Sequence, residues 1–91
     1  MNEDKPYEDV REDTYWTTGT GDELTLAEME KSHLQNAILF LNRKQEECTA
    51  QGLGDYEVND HSAFYWMKLF RKELKYREAL LQPQVVGEEI L

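Results

Sequence analysis

The sequence predicts a mainly α-helical protein in which a short N-terminal β-hairpin precedes a long antiparallel hairpin of two helices. Residues 14–25 place β-branched and aromatic residues around a turn that contains two glycines, a pattern typical of paired strands. In two later segments apolar residues recur at the spacing of an amphipathic helix. Gly52 and Gly54 end the first of these segments and Pro83 ends the second. Together these three observations indicate the fold class.

The 91 residues are enough for one small domain. We expect residues 14–82 to form this domain and residues 83–91 to form a short C-terminal tail. Residues 1–13 carry six acids and two bases, and Pro6 interrupts them. Such a segment buries too little apolar surface to offset the entropy lost on ordering. We therefore expect a mobile acidic arm, unless Tyr7 and Val10 dock onto the domain.

Both helices have recognisable start signals. Thr25 and Glu28 have the spacing of a capping box, which predicts a first helix from about residue 26 to about residue 49. Asp60 or Ser62 suits the N-cap of the second helix. The main apolar stripe of the second helix consists of Ala63, Trp66, Met67, Phe70, Leu74 and Leu81. Both helices carry more apolar width than one partner helix covers, which favours self-association, with a homodimer as the default symmetric solution.

The composition excludes several classes of protein. The net charge is −9 and the pI is near 4.6, so a long nucleic acid is repelled. No stretch approaches the ~20 apolar residues of a membrane span, and the acidic N-terminus lacks the apolar run of a signal peptide. Cys48 is the single cysteine, and His33 and His61 lie 28 positions apart, which argues against a disulfide or a metal cluster. We expect a cytosolic protein without metal or cofactor.

The charges are distributed unevenly along the chain. Residues 1–30 hold ten acids and two bases, whereas residues 61–79 hold five bases and two acids. Four of these bases, which we call the basic stripe, fall on one face of the second helix: Lys68, Arg71, Lys72 and Lys75. One interpretation is a solvated helix face. The other is an anion site in which Arg71 grips a phosphate with two parallel hydrogen bonds while nearby aromatic rings stack on a base.

No catalytic motif is recognisable, so we expect a protein without enzymatic activity. A nucleophile needs a base beside it, and no motif places either histidine near Cys48, which we interpret as a small packing residue. His33 is either a structural histidine at the core edge or a ligand contact. Asn36 projects from a similar face of the first helix. It is either a buried amide that fixes the β-hairpin or a contact to the edge of a base.

Part of the chain resembles a widespread group of short bacteriophage proteins. The resemblance covers residues 15–43 and rests on Tyr15-Trp16-Thr17-Thr18, Gly21, Glu28-Met29 and His33-Leu34-Gln35-Asn36-Ala37-Ile38. In that group a Trp-Thr-Thr strand and a glycine turn precede a helix with Met, His-Leu and Asn-Ala-Ile at these intervals. The pattern is also similar to that of phage sponges, which sequester the cyclic nucleotide signal of bacterial immune systems of the CBASS type.

The resemblance implies a viral immune-evasion protein that works in the host cytoplasm. It would bind a cyclic dinucleotide in a pocket formed by an oligomer, and it would do no chemistry on this ligand. The basic stripe would neutralise the phosphates. The other ligand-binding residues that the resemblance implies are Tyr15 or Trp16 for base stacking, Thr17 and Thr18 for hydroxyl contacts, and His33 or Asn36 for polar recognition.

Two other functions stay open at this point. An acidic protein can inhibit a host enzyme by imitating the charge of a nucleic acid, and residues 1–13 offer such a surface. A structural or assembly module would instead use its paired helices as an interface and bind no ligand. Stabilisation by cyclic dinucleotides would favour the sponge, and salt-sensitive binding to a basic host protein would favour the inhibitor.

Overall fold

The computed structural model describes residues 5–81, and most of these residues are helical. The elements in chain order are α1 (Tyr7–Asp13), β1 (Tyr15–Thr17), β2 (Glu23–Thr25), a 3₁₀ turn (Leu26–Glu28), α2 (Lys31–Ala50), β3 (Glu57–Val58), β4 (His61–Ser62) and α3 (Ala63–Leu81). The strands form two separate antiparallel hairpins, β1–β2 and β3–β4. None of the helices in residues 5–81 combines the length and the apolar character that a membrane crossing requires.

The two long helices form the predicted helical hairpin. Lys31 at the start of α2 and Leu81 at the end of α3 line the same cleft, so the helices run antiparallel. The apolar stripe of α3 is buried from Ala63 to Phe70 but emerges at Leu81, which is 84% exposed. The core draws on both helices, the first hairpin and the segment that follows it: Trp16, Leu26, Met29, Leu34, Ala37, Leu41, Ala63, Trp66, Met67 and Phe70.

The β1–β2 hairpin confirms the strand prediction. Tyr15 lies opposite Thr25 in an antiparallel register. Because two strands alone are marginally stable in water, the hairpin depends on a contact outside itself. Trp16 supplies this contact, since its ring centroid lies 5.0 Å from that of Trp66 and 5.1 Å from that of Phe70, both edge to face.

The first long helix begins later than predicted. The Thr25–Glu28 capping box is present, but it caps the 3₁₀ turn, and two extended residues separate this turn from α2. Arg77 of α3 accounts for the break, because its Nη2 donates to the carbonyl oxygens of Leu26 at 2.9 Å and Ala27 at 3.3 Å. A side chain from another element therefore satisfies carbonyls that would otherwise continue a helix. The prediction of one helix starting at residue 26 was wrong at this end.

The connection between the long helices begins with the predicted glycine. Gly52 has a φ of +71°. Its N–H donates to the carbonyl of Thr49, and the N–H of Leu53 donates to that of Cys48, which is the Schellman arrangement that ends helices. The φ value explains why a glycine stands here, since a side chain at this position would be strained.

The β3–β4 hairpin lies in this connection. Asn59 and Asp60 both have positive φ angles, 48° and 72°, as a two-residue type I′ turn requires. The next helix starts immediately after it, because the Tyr65 N–H donates to Ser62 Oγ at 3.2 Å. Of the two predicted N-caps, Ser62 is therefore used, and Asp60 lies in the turn.

Residues 7–13 form helix α1, which contacts α3 through Tyr7 and Arg11. Pro6 stands at the N-cap, where its missing N–H costs no helical hydrogen bond. For these residues the structure matches the docking alternative rather than a free acidic arm. Residues 1–4 and the predicted tail, residues 83–91, lie outside the described residues.

Candidate ligand-binding cleft

A buried carboxylate, that of Glu73 in α3, joins α1 to the rest of the fold. Its side chain is fully buried. Tyr7 Oη and Arg11 Nε donate to Glu73 Oε1 at 2.8 and 2.9 Å. Arg11 Nη2 and Arg77 Nε donate to Oε2, so the carboxylate accepts four hydrogen bonds. These donors compensate the cost of burying a charge, which is high for an unpaired carboxylate.

The surrounding groups fix the protonation states in this cluster. Burial raises the pKa of Glu73, but hydrogen bonds from Arg11, Arg77 and Tyr7 outweigh burial and hold the pKa below its ordinary value. Burial, followed by the hydrogen bond to Glu73, raises the pKa of Tyr7. At neutral pH the cluster therefore contains a charged Glu73 and a neutral Tyr7 hydroxyl that donates to it.

A cleft of about 330 Å³ lies beside this cluster, between the N-terminal segment and α3. We call it the lysine–tyrosine cleft. Its volume is at the lower end of the ~300–1,000 Å³ typical of ligand sites. Three ammonium groups, two tyrosine rings and two aliphatic side chains surround it, and the described lining residues include no carboxylate: Lys5, Tyr7, Val10, Tyr65, Lys68, Leu69 and Lys72.

Aromatic rings and one ion pair orient the charged groups around the cleft. Lys72 Nζ lies 4.9 Å from the ring centroid of Tyr7, within the range of a cation–π contact. The Tyr7 ring also packs edge to face on Tyr76, with centroids 5.3 Å apart. Lys5 Nζ pairs with Asp13 at 2.6 Å on the surface, where such a pair is weak. Lys68 and Lys72 form no ion pair within residues 5–81, so these two lysines supply the unpaired positive charge at the cleft.

The structure divides the predicted basic stripe between two clefts. Lys68 and Lys72 line the lysine–tyrosine cleft. Lys75 lines a second cleft, of about 250 Å³, between α2 and α3. Arg71 is exposed and lines neither of these two clefts. The predicted bidentate contact of Arg71 with a phosphate therefore gains no support from these two clefts.

The strand residues that the resemblance selects lie apart from both clefts. Trp16 is 6% exposed and packs in the core, so a base cannot stack on its ring in this conformation. Tyr15, by contrast, is exposed. The Thr18 hydroxyl accepts a hydrogen bond from the Asp22 N–H and closes the hairpin turn, and Thr17 is half-buried. A ligand role for Tyr15, Thr17 and Thr18 stays a prediction.

The two polar residues predicted on the first helix are in α2. His33 is half-buried, whereas Asn36 is exposed. An exposed amide is satisfied by water, so the interpretation of Asn36 as a buried amide that fixes the β-hairpin was wrong. Neither residue lines the two clefts, and recognition of a base edge by His33 or Asn36 stays a prediction.

Neither helical spacing nor the resemblance indicated Lys5, Tyr7 or Glu73 as site residues. One local signal was present, since Tyr7 and Arg11 have the i, i+4 spacing that places both on one face of a helix. Glu73 has the same spacing to Arg77. The contact between these two pairs joins residues far apart in the chain, and helical spacing carries no information about it.

No family model, curated protein or solved structure matches this chain.

Proposed function

We propose that this protein is a non-enzymatic sponge that binds a cyclic dinucleotide in the lysine–tyrosine cleft and sequesters it. One observation carries the proposal: three lysines and two tyrosine rings, with no carboxylate among the described lining residues, surround a cleft in a chain of net charge −9. Lysines supply positive charge for phosphates, and tyrosine rings are surfaces on which a base can stack.

The size and the charge of the ligand follow from the same geometry. A long polyanion meets the field of the whole protein and is repelled. A small ligand experiences mainly charges within a Debye length of ~8 Å, where Lys5, Lys68 and Lys72 lie together. At about 330 Å³ the cleft has room for part of a cyclic dinucleotide. Self-association of the chain would supply a second cleft for the other part.

The biological setting of the proposal comes from the resemblance of residues 15–43 to phage proteins. A viral sponge would act in the host cytoplasm by mass action, without altering the nucleotide. It must be more concentrated than the signal and bind it more tightly than the host receptor does. A nanomolar dissociation constant corresponds to about −12 kcal/mol, and stacking contributes about 1–3 kcal/mol for each base.

The test is a screen of melting temperatures against cyclic di- and trinucleotides, followed by calorimetric titration of any that stabilise the protein. Two double variants each remove two positive charges: Lys68→Ala with Lys72→Ala inside the cleft, and Arg71→Ala with Lys75→Ala outside it. We expect the first pair to weaken binding at least tenfold and the matched pair to weaken it less than threefold. Equal losses would locate the ligand elsewhere, and no stabilisation by any nucleotide would refute the sponge.

One observation favours the inhibitor as a second candidate. Glu8, Asp9 and Glu12 of α1 are exposed, so α1 presents acids to solvent while Tyr7 and Arg11 contact α3. The triple variant Glu8→Gln, Asp9→Asn, Glu12→Gln keeps every residue that lines the cleft. It would abolish salt-sensitive binding to a basic protein if α1 imitates a nucleic acid, and it would leave nucleotide binding intact if the protein is a sponge.

A further inference from the structure

We propose that Glu73 is a positioning residue for the lysine–tyrosine cleft. Glu73 holds α1, which forms one wall of the cleft, in place and so couples ligand binding to the docking of α1. The ligand part of this inference rests on the proposed function. The positioning part stands on the geometry of the described residues alone.

The connection from Glu73 to the cleft runs through one side chain. The Tyr7 hydroxyl donates to Glu73 Oε1 at 2.8 Å. The ring of the same tyrosine lines the cleft, where Lys72 Nζ lies 4.9 Å from its centroid. Arg11, one turn further along α1, donates to both oxygens of the Glu73 carboxylate. A buried carboxylate outside the cleft therefore fixes the position of a ring that forms its wall.

Helix α1 also packs against the 3₁₀ turn and β2, but its contact with α3 depends on these side chains. It is seven residues long, and none of its residues is buried. Isolated helices of this length do not persist in water. The hydrogen bonds to Glu73 and the packing of Tyr7 and Arg11 on Tyr76 hold α1 against α3. Segments with so few buried contacts open at low free-energy cost, so α1 exists in docked and undocked states.

Ligand binding and docking are then linked. A ligand in the cleft contacts Lys5 and Tyr7 on one side and Lys68 and Lys72 on the other. It binds the docked state, so the apparent dissociation constant is the intrinsic constant divided by the docked fraction. The coupling is reciprocal, and the bound ligand must stabilise α1 in its docked position.

The first experiment needs no ligand and compares two hydroxyl deletions. Tyr7→Phe keeps the ring in the cleft and removes the donor to Glu73. Tyr65→Phe is the matched control, because Tyr65 lines the same cleft and its hydroxyl makes no side-chain hydrogen bond within residues 5–81. Amide hydrogen exchange of residues 8–13 should accelerate about tenfold in Tyr7→Phe and less than twofold in Tyr65→Phe. Amides of α2 should be unchanged in both, which separates lost positioning from general destabilisation.

Arg11→Ala is the second variant and should accelerate exchange in α1 at least as much as Tyr7→Phe does. Unchanged exchange of residues 8–13 in both variants would overturn the positioning role. Acceleration that is equal throughout α1 and α2 would also overturn it, because Glu73 would then support the whole fold and not α1 in particular.

The second experiment tests the coupling with cyclic di-AMP as the probe. In the wild-type protein, saturating cyclic di-AMP should slow exchange of residues 8–13 about tenfold. Because a tenfold acceleration of exchange in Tyr7→Phe requires that the undocked state be a minority, this variant should bind the probe less than about twofold more weakly than Tyr65→Phe does. Binding with no change in α1 exchange would overturn the coupling and leave the proposed function standing. No binding to the wild-type protein would remove the coupling to this ligand, and the ligand-free experiment would still decide the positioning role.

Discussion

Replacement of Trp16 by alanine distinguishes a core tryptophan from a ring that is open to a ligand. The side chain is 6% exposed and contacts Trp66 and Phe70 edge to face. Truncation of a buried aromatic residue to alanine costs about 3–5 kcal/mol, against the ~5–15 kcal/mol that stabilises a typical domain. We therefore expect Trp16→Ala to remove a large part of the folding stability, or all of it, because the β1–β2 hairpin loses its contact with α3.

Urea unfolding followed by far-ultraviolet circular dichroism measures this loss. All variants are compared at one protein concentration, since self-association would shift the midpoint. Tyr15→Ala is the matched control, because Tyr15 precedes Trp16 on the same strand and is 55% exposed. We expect it to change the stability by less than about 0.5 kcal/mol. The reasoning is refuted if Trp16→Ala costs no more than Tyr15→Ala, since Trp16 would then be an exposed ring free to stack on a base.

Four further predictions test the ionised cluster and the helix ends. Because the pKa of Glu73 is lowered, its contribution to stability is present above its ordinary pKa of 4.5 and is lost as the pH falls through the lower folded value. The raised pKa of Tyr7 contributes stability that is present below its ordinary pKa of 10.0 and is lost as the pH rises through the higher folded value. In an absorbance titration this late ionisation step should be present in the wild-type protein and absent from Tyr7→Phe. Gly52 has a φ of +71°, so Gly52→Ala should lower the free energy of unfolding in urea by about 1–2 kcal/mol. Gly19→Ala is the control, because the φ of Gly19 is not left-handed and an added Cβ would meet no atom within 4 Å. An equal loss in Gly19→Ala would contradict backbone strain as the cause. Ser62→Ala should cost about 0.5–2 kcal/mol through the lost cap of α3, and an unchanged midpoint would show that Ser62 Oγ does not cap the helix.

Most of the secondary structure could be predicted because its signals are local. Local signals predicted the strand around Trp16, the glycine that ends α2 and the serine that begins α3. Each of these signals depends on residues within a few positions in the chain. The prediction failed where a distant side chain intervened. Arg77 donates to the Leu26 carbonyl at the 3₁₀ turn, and no residue close to Leu26 in the chain indicates this contact.

The candidate site was only partly predictable for the same reason. Helical spacing placed Lys68, Arg71 and Lys72 on one face of α3, but a helix face is broad enough to border two clefts. Which lysine lines the lysine–tyrosine cleft depends on where α1 docks, and the docking depends on Glu73. In the sequence, Glu73 is one acid among the bases of the second helix, whereas in the structure it is the buried acceptor of four hydrogen bonds.

Local patterns were sufficient to predict the mainly helical class, the first hairpin, the helix ends between residues 50 and 63, and the concentration of positive charge on α3. These follow from periodicity and from hydrogen bonds between residues close in the chain. Packing between distant elements buries Trp16, brings Glu73 to Tyr7 and Arg11, and places Lys68 and Lys72, but not Arg71, at the lysine–tyrosine cleft. These contacts join residues that are far apart in the chain, so they depend on how the elements pack together and not on local sequence.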